Sequence, residues 1–134
     1  MSDQPNASHH DAELILQLYD LRRESEMRKA RTFIANFWPQ SADEVLKVIQ
    51  SFGAQENAWF RQVLGYWNMV ASLVLRGTLH EGLAFDNCAE LWFVYAKLKP
   101  FLRKSGKRCK CRSSWETSRK LPSAHLRVGS ASKA

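Results

Sequence analysis

The sequence predicts an all-α domain, a compact bundle of about five to six short-to-medium helices around a central aromatic-rich helix, followed by a disordered basic tail. Three observations carry this. Apolar residues recur at helical spacing in one segment after another, and no segment alternates with period two. The connections between segments are short, as antiparallel helical packing requires. Composition then breaks between Leu102 and Arg103. Residues 1–102 carry ten Lys/Arg against twelve Asp/Glu, a net charge of −2, whereas residues 103–134 carry ten against Glu116 alone, a net of +9. The overall charge of +7 therefore belongs to the last quarter of the chain.

Residues 1–10 are polar, lack the apolar run of a secretory signal, and are expected to be disordered. The helical domain is expected over residues 11–102. Leu14, Ile15, Leu18 and Leu21 form its first apolar stripe, with Arg22/Glu26 and Glu24/Arg28 as i, i+4 ion pairs on the solvated side. Met27, Ala30, Ile34, Phe37 and Trp38 form the second, stopped by Pro39. Period alone leaves open whether Glu24–Ser25 divides these into two helices. Ser41 and Glu44 read as a capping box opening a helix that buries Val45, Val48, Ile49 and Phe52, with Gly53 placed to end it.

Asn57 to Arg76 is the central helix. Phe60, Val63, Leu64, Trp67, Val70, Ala71 and Val74 make its main stripe, and Trp59, Tyr66, Met69 and Leu73 widen it. A helix apolar over most of its circumference is buried among its neighbours, and Gly65 and Ser72 would admit a second backbone. Gly77 ends it. Thr78 to Glu81 reads as a second capping box before a short turn with Leu83 and Phe85. The last helix, about Asp86 to Leu98, aligns Cys88, Leu91, Trp92, Tyr95 and Leu98, and Pro100 is expected to close it.

Composition excludes several classes. The five Trp, seven Phe and three Tyr all lie before residue 103 except Trp115, and such rings supply much of the apolar area a small core needs. Three cysteines without a signal segment do not make a disulfide framework, so a cytoplasmic location is the default. The longest apolar stretch, between Arg61 and Arg76, is broken by Gln62, Asn68 and Ser72 and falls short of the roughly 20 residues that span a bilayer. No membrane partner is expected.

Candidates for chemistry are few. Cys109 and Cys111 are one residue apart, tighter than zinc knuckles use, and His125 brings the ligand count only to three. Cys88 reads as a small core hydrophobe. His80 with Glu81, Asp86 and Glu90 is the one His/carboxylate cluster, but it lacks zinc-protease spacing and Glu81 is already assigned to a cap. His9 and His10 lie in the terminal stretch. There is no glycine-rich phosphate loop and no nucleophile elbow. No catalytic residue, cofactor or metal is expected, and the chain reads as a non-enzyme. Asn68, flanked by Tyr66, Trp67 and Met69, either hydrogen-bonds between helices, with Arg61 or Glu90 as partner, or contributes a polar group to a pocket.

The run Tyr66 to Val74, the turn Gly77-Thr78-Leu79-His80-Glu81-Gly82-Leu83-Ala84-Phe85 and the segment Phe93 to Pro100 resemble a family of small bacterial helical proteins known only as a domain of unknown function. Leu18 to Arg23 and Asn57 to Phe60 are similar to it as well, so the resemblance covers about residues 12 to 102 and stops at the basic tail. Asn68 stands where that family usually carries Glu, and Tyr95 where it often has Trp. The resemblance implies a fold and no activity.

Three readings compete for residues 103–134: an indifferent disordered tail, a tether for nucleic acid or another anionic surface, and an out-of-frame extension of the domain. As a tether, Lys107, Arg108, Lys110 and Arg112 would meet phosphates and Trp115 would stack on a base. The leading functional expectation is a helical module for protein interaction or self-association, presenting an aromatic face around Trp38, Trp59 or Trp92. The alternative is non-specific nucleic-acid binding through the tail.

Overall fold

The structure, a computed structural model, describes residues 6–105, with side chains described as far as Phe101. It contains α1 (His9–Arg23), α2 (Ser25–Asn36), α3 (Ala42–Gln50), α4 (Gln55–Leu75), α5 (Glu81–Asn87) and α6 (Ala89–Ser105). No strand occurs among the described residues. The bundle is all-α.

α1 begins inside the stretch expected to be disordered. Ser8 is its N-cap: its hydroxyl oxygen accepts the Asp11 amide at 3.2 Å, and the Asp11 carboxylate accepts the Ser8 amide at 2.7 Å. Glu24 divides α1 from α2. Its backbone is extended (φ −56°, ψ 141°), and its carboxylate caps α2 by accepting the Met27 amide at 2.8 Å. That use of Glu24, and the burial of Arg22, overturn the two expected surface pairs; Glu26 bonds Lys29 instead, at 2.6 Å.

The caps agree with the sequence only in part. Ser41 accepts the Glu44 amide at 3.3 Å, but the Glu44 carboxylate returns to the amide of Gln40 rather than Ser41. α4 ends in a complete Schellman motif: Gly77 (φ +74°) donates to the Val74 carbonyl and Thr78 to that of Leu73, both at 3.0 Å. Thr78 is consumed by this closure, so the expected second box does not form. His80 is the N-cap of α5, its Nδ1 accepting the Leu83 amide at 3.2 Å.

Gly53 (φ +86°) occupies the turn after α3 rather than its cap, and that turn carries Phe52 out to 76% exposure. Leu21 is likewise exposed, because Leu18 and Arg22 hold the inward face of α1. Nothing approaches Gly65, which faces outward on α4. Pro100 lies inside α6 instead of closing it. The amide it lacks would have bonded the carbonyl of Ala96, an exposed residue.

α4 packs most extensively along α2 and also against α3; α1 contacts α2 and α5, and α3 contacts α6. Phe60, Val63, Trp67, Val70 and Ala71 line the inward side of α4, and Trp67 is fully buried. Phe33 of α2 and Phe37, the residue that caps its end, meet Trp59 and Phe60 of α4 with ring centroids 6.0 and 6.1 Å apart. Offset and edge-on contacts of this kind add to plain area burial. Leu91, Val94 and Leu98 bring α6 onto the same core. No helix among the described residues is long and apolar enough to cross a membrane.

Candidate functional site

Among the described residues the buried polar ones are Asp11, Arg22, Asn57 and Lys97. Each reaches the end of a helix other than its own. Helix ends leave orphan backbone groups and a partial charge, so a side chain from a neighbour can serve as cap and interhelical tie at once. Asp11 accepts the His80 amide at 2.7 Å, joining α1 to the start of α5. The amide and hydroxyl of Ser8, with that of His80, hold its carboxyl below the usual range. Asn57 donates to the Val48 and Ile49 carbonyls at the end of α3, both at 2.9 Å.

Lys97 performs the same task for α2. Its ammonium donates to the carbonyls of Ile34 at 2.7 Å and Ala35 at 3.2 Å. It lies 4.0 Å from the Trp38 ring centroid and 4.5 Å from that of Phe93. The two rings stand edge to face, 5.9 Å apart, and screen the cation from water. Burial pushes the Lys97 amine below its ordinary value.

Arg22 reaches the Asn87 carbonyl, where α5 ends, with both terminal nitrogens at 3.5 Å. Its guanidinium lies over Trp67 at 5.4 Å and Tyr19 at 5.6 Å. Neither Arg22 Nε nor Trp67 Nε1 has an acceptor among the described residues. Beside them Tyr66 donates its hydroxyl to the Leu18 carbonyl at 2.6 Å, and burial pushes that phenol up to about 12. Burial also pushes the Cys88 thiol up, with Arg22 acting in the opposite sense. A raised thiol is protonated at neutral pH and a poor nucleophile.

A solvent-open groove of about 430 Å³ runs between α2 and α6. Arg28, Arg31 and Thr32 stand on the α2 side with Ile34 and Ala35; Glu90, Phe93 and Val94 stand on the α6 side. Arg31 grips Glu90 through two nitrogens, Nε at 2.8 Å and Nη2 at 2.5 Å from Oε2. That carboxylate holds the Arg31 guanidinium above its ordinary value. Phe93 is 45% and Trp38 is 60% exposed, so their outer faces remain open beside the groove. The site can bind a group through cations and ring faces.

The three tryptophans singled out from sequence fall in different places. Trp38 borders the groove through Phe93. Trp59 is half-buried in the α2/α4 aromatic cluster, its indole N–H 3.5 Å from Glu26. Trp92 is half-buried and stacked on Phe85 at 4.7 Å. Asn68 is half-buried on α4 and does not line the groove; Glu90, one of its expected partners, is engaged by Arg31. His80 spends Nδ1 on its cap. No group of three or more His, Cys, Asp and Glu that could hold a metal occurs among the described residues. Lys107, Arg108, Cys109, Lys110, Cys111, Arg112, Trp115 and His125 lie outside the described residues. Sequence reasoning missed Arg28, Arg31, Phe93 and Lys97, whose charges and ring read as ordinary surface until α2 and α6 are side by side.

Two comparisons leave the chain without a counterpart: no curated protein and no solved structure matches it. A family model does, over residues 7–121, spanning the resembling segment and continuing past the composition break at Leu102. That family is described as a domain of unknown function, DUF4760, and the chain belongs to it.

Proposed function

We propose that this domain works by binding rather than by catalysis, as a helical protein-interaction module whose docking face is the α2/α6 groove and the aromatic rim beside it. One observation carries the reading. Trp38 and Phe93 keep large exposed faces although their inner faces already cover Lys97. An aromatic residue displayed on a fixed scaffold beside a groove is the usual composition of an interface anchor. The groove supports the same reading through its chemistry. Its single carboxylate, Glu90, is tied to Arg31, and its thiol-bearing neighbour Cys88 is buried.

The test is a random-peptide display selection on the full chain, with counter-selection on a Trp38→Ser/Phe93→Ser variant whose helicity is verified by circular dichroism. Enrichment of peptides that bind wild type and lose the variant supports the module. Failure to enrich any such peptide refutes it.

A second reading rests on the charge of +9 in residues 103–134. A tether of that charge would bind DNA or RNA with a steep, salt-dependent affinity lost on removal of residues 106–134. Binding unchanged by that truncation, or insensitive to salt, excludes it.

A further inference from the structure

We propose that the α2/α6 groove takes an acidic, amphipathic helical segment of another protein, carboxylates against Arg28 and Arg31 and apolar side chains against Phe93 and Trp38. This rests on the groove being the docking face, and adds the class of partner.

Charge is the first argument. Arg28 is exposed and finds no acidic partner among the described residues. Glu24 is spent on the α2 cap and Glu26 on Lys29. Arg31 commits Nε and Nη2 to Glu90, which leaves Nη1 for an incoming group. The lining thus holds two guanidiniums against one carboxylate, with the Lys97 ammonium just beneath Phe93. This is a local positive site on a domain whose residues 1–102 carry a net −2. A polyanion would meet repulsion from the rest of that surface, whereas one or two carboxylates on a short segment would not.

Shape and polarity give the second argument. The groove lies in the size range of a ligand pocket but is open along two helices, so it suits anchors projecting from a helix better than an enclosed small molecule. Phe93 supplies its open apolar surface over a floor formed by the buried Ile34 and Val94, and Trp38 extends that surface at the rim. Thr32 donates its hydroxyl to the Arg28 carbonyl at 3.0 Å, which leaves the guanidiniums as the polar recognition elements.

The Arg31–Glu90 pair has a consequence of its own. Glu90 already places a carboxylate on the guanidinium a ligand would seek, so it acts as an internal competitor. Removing its charge should tighten binding, which is the reverse of what loss of a merely structural ion pair would do.

The experiment uses the full chain and three labelled peptides of about 15 residues built on one helical template. The first carries Leu anchors and Glu at the flanking positions, the second replaces each Glu by Lys, and the third replaces each Leu by Ser. By fluorescence anisotropy at low salt, the Glu peptide should bind about tenfold or more tightly than either twin, a difference of about 1.4 kcal/mol. Arg28→Glu should weaken the Glu peptide about tenfold and strengthen the Lys peptide, and Glu90→Gln should strengthen the Glu peptide about threefold. Circular dichroism and thermal melts of each variant separate misfolding from lost contacts.

Equal binding of the Glu and Lys peptides, no binding of any, or indifference to Arg28→Glu overturns the proposal. So does Arg28-dependent self-association without peptide, which would make a second copy of the chain the occupant. Trp38-dependent binders from the display selection that lack acidic residues would leave the module standing and remove this partner class.

Discussion

Replacing Trp67 by alanine should bring the domain close to global unfolding. The indole is fully buried on the inward side of α4, packed into the core that all six helices share, and the Arg22 guanidinium lies 5.4 Å above it. A core Trp→Ala change costs about 3–5 kcal/mol through lost burial and the cavity left behind. Arg22 loses its aromatic face as well, a further ~0.5–2 kcal/mol for a cation kept from water. A total near 5 kcal/mol compares with a stability of about 5–15 kcal/mol for a domain of this size. With a urea m-value of about 1.5 kcal/mol/M, the midpoint should fall by roughly 3 M. Trp38→Ala is the control. Its ring is 60% exposed and only its inner face meets Lys97 and Phe93, so its cost should stay near 1 kcal/mol. Urea unfolding followed by far-ultraviolet circular dichroism measures both. If Trp67→Ala costs under about 1.5 kcal/mol, or as little as Trp38→Ala, the placement of α4 in the bundle is wrong.

Asn57→Ala removes two hydrogen bonds to the α3 carbonyls and should cost about 1–3 kcal/mol, with Asn57→Asp worse because it sets an acceptor against acceptors; a thermal melt in which Asp matches Asn would contradict this cap. Tyr66 should ionise near pH 12 in ultraviolet phenolate titration, a step absent from Tyr66→Phe. Its phenol is raised from 10 to about 12, so its contribution to stability is complete below pH 10 and is lost as pH rises from 10 to 12. Asp11 runs the other way. Its carboxyl is lowered from 3.8, so the stability it contributes is complete above that value and lost as pH falls through the lowered one; Asp11→Asn should flatten that part of an acid unfolding curve, and an unchanged curve would count against the tie to α5.

Much of the helical layout was legible along the chain because it depends on near neighbours. The stripes of α2 and α4 place Met27, Ala30, Ile34, Phe60, Val63 and Trp67 inward, and the structure keeps them there. Gly77 ends α4 for a reason visible in one residue, the ease with which glycine adopts positive φ. The opening cap of α3 at Ser41 is local in the same sense. Even the family was readable from turn and core residues alone.

Caps made at a distance were not legible. Arg22, Asn57 and Lys97 sit on helices where period and charge mark them as surface or as an unremarkable first turn, yet each is buried against a carbonyl from another element. No local pattern encodes this, because a buried donor is tolerated only where folding supplies its acceptor, and that acceptor lies between 8 and 65 residues away. The misread second box has the same origin: Thr78 belongs to the closure of α4, α5 starts only at Glu81 with His80 as its cap, and Asp11 reaches across from α1 to hold the His80 amide there. The groove is a product of tertiary structure in the strictest sense. Arg28 and Arg31 belong to α2, and Glu90 and Phe93 to α6. Each pair follows the ordinary spacing of a helix face, and only the packing of the two helices turns them into a cationic cleft with an aromatic rim.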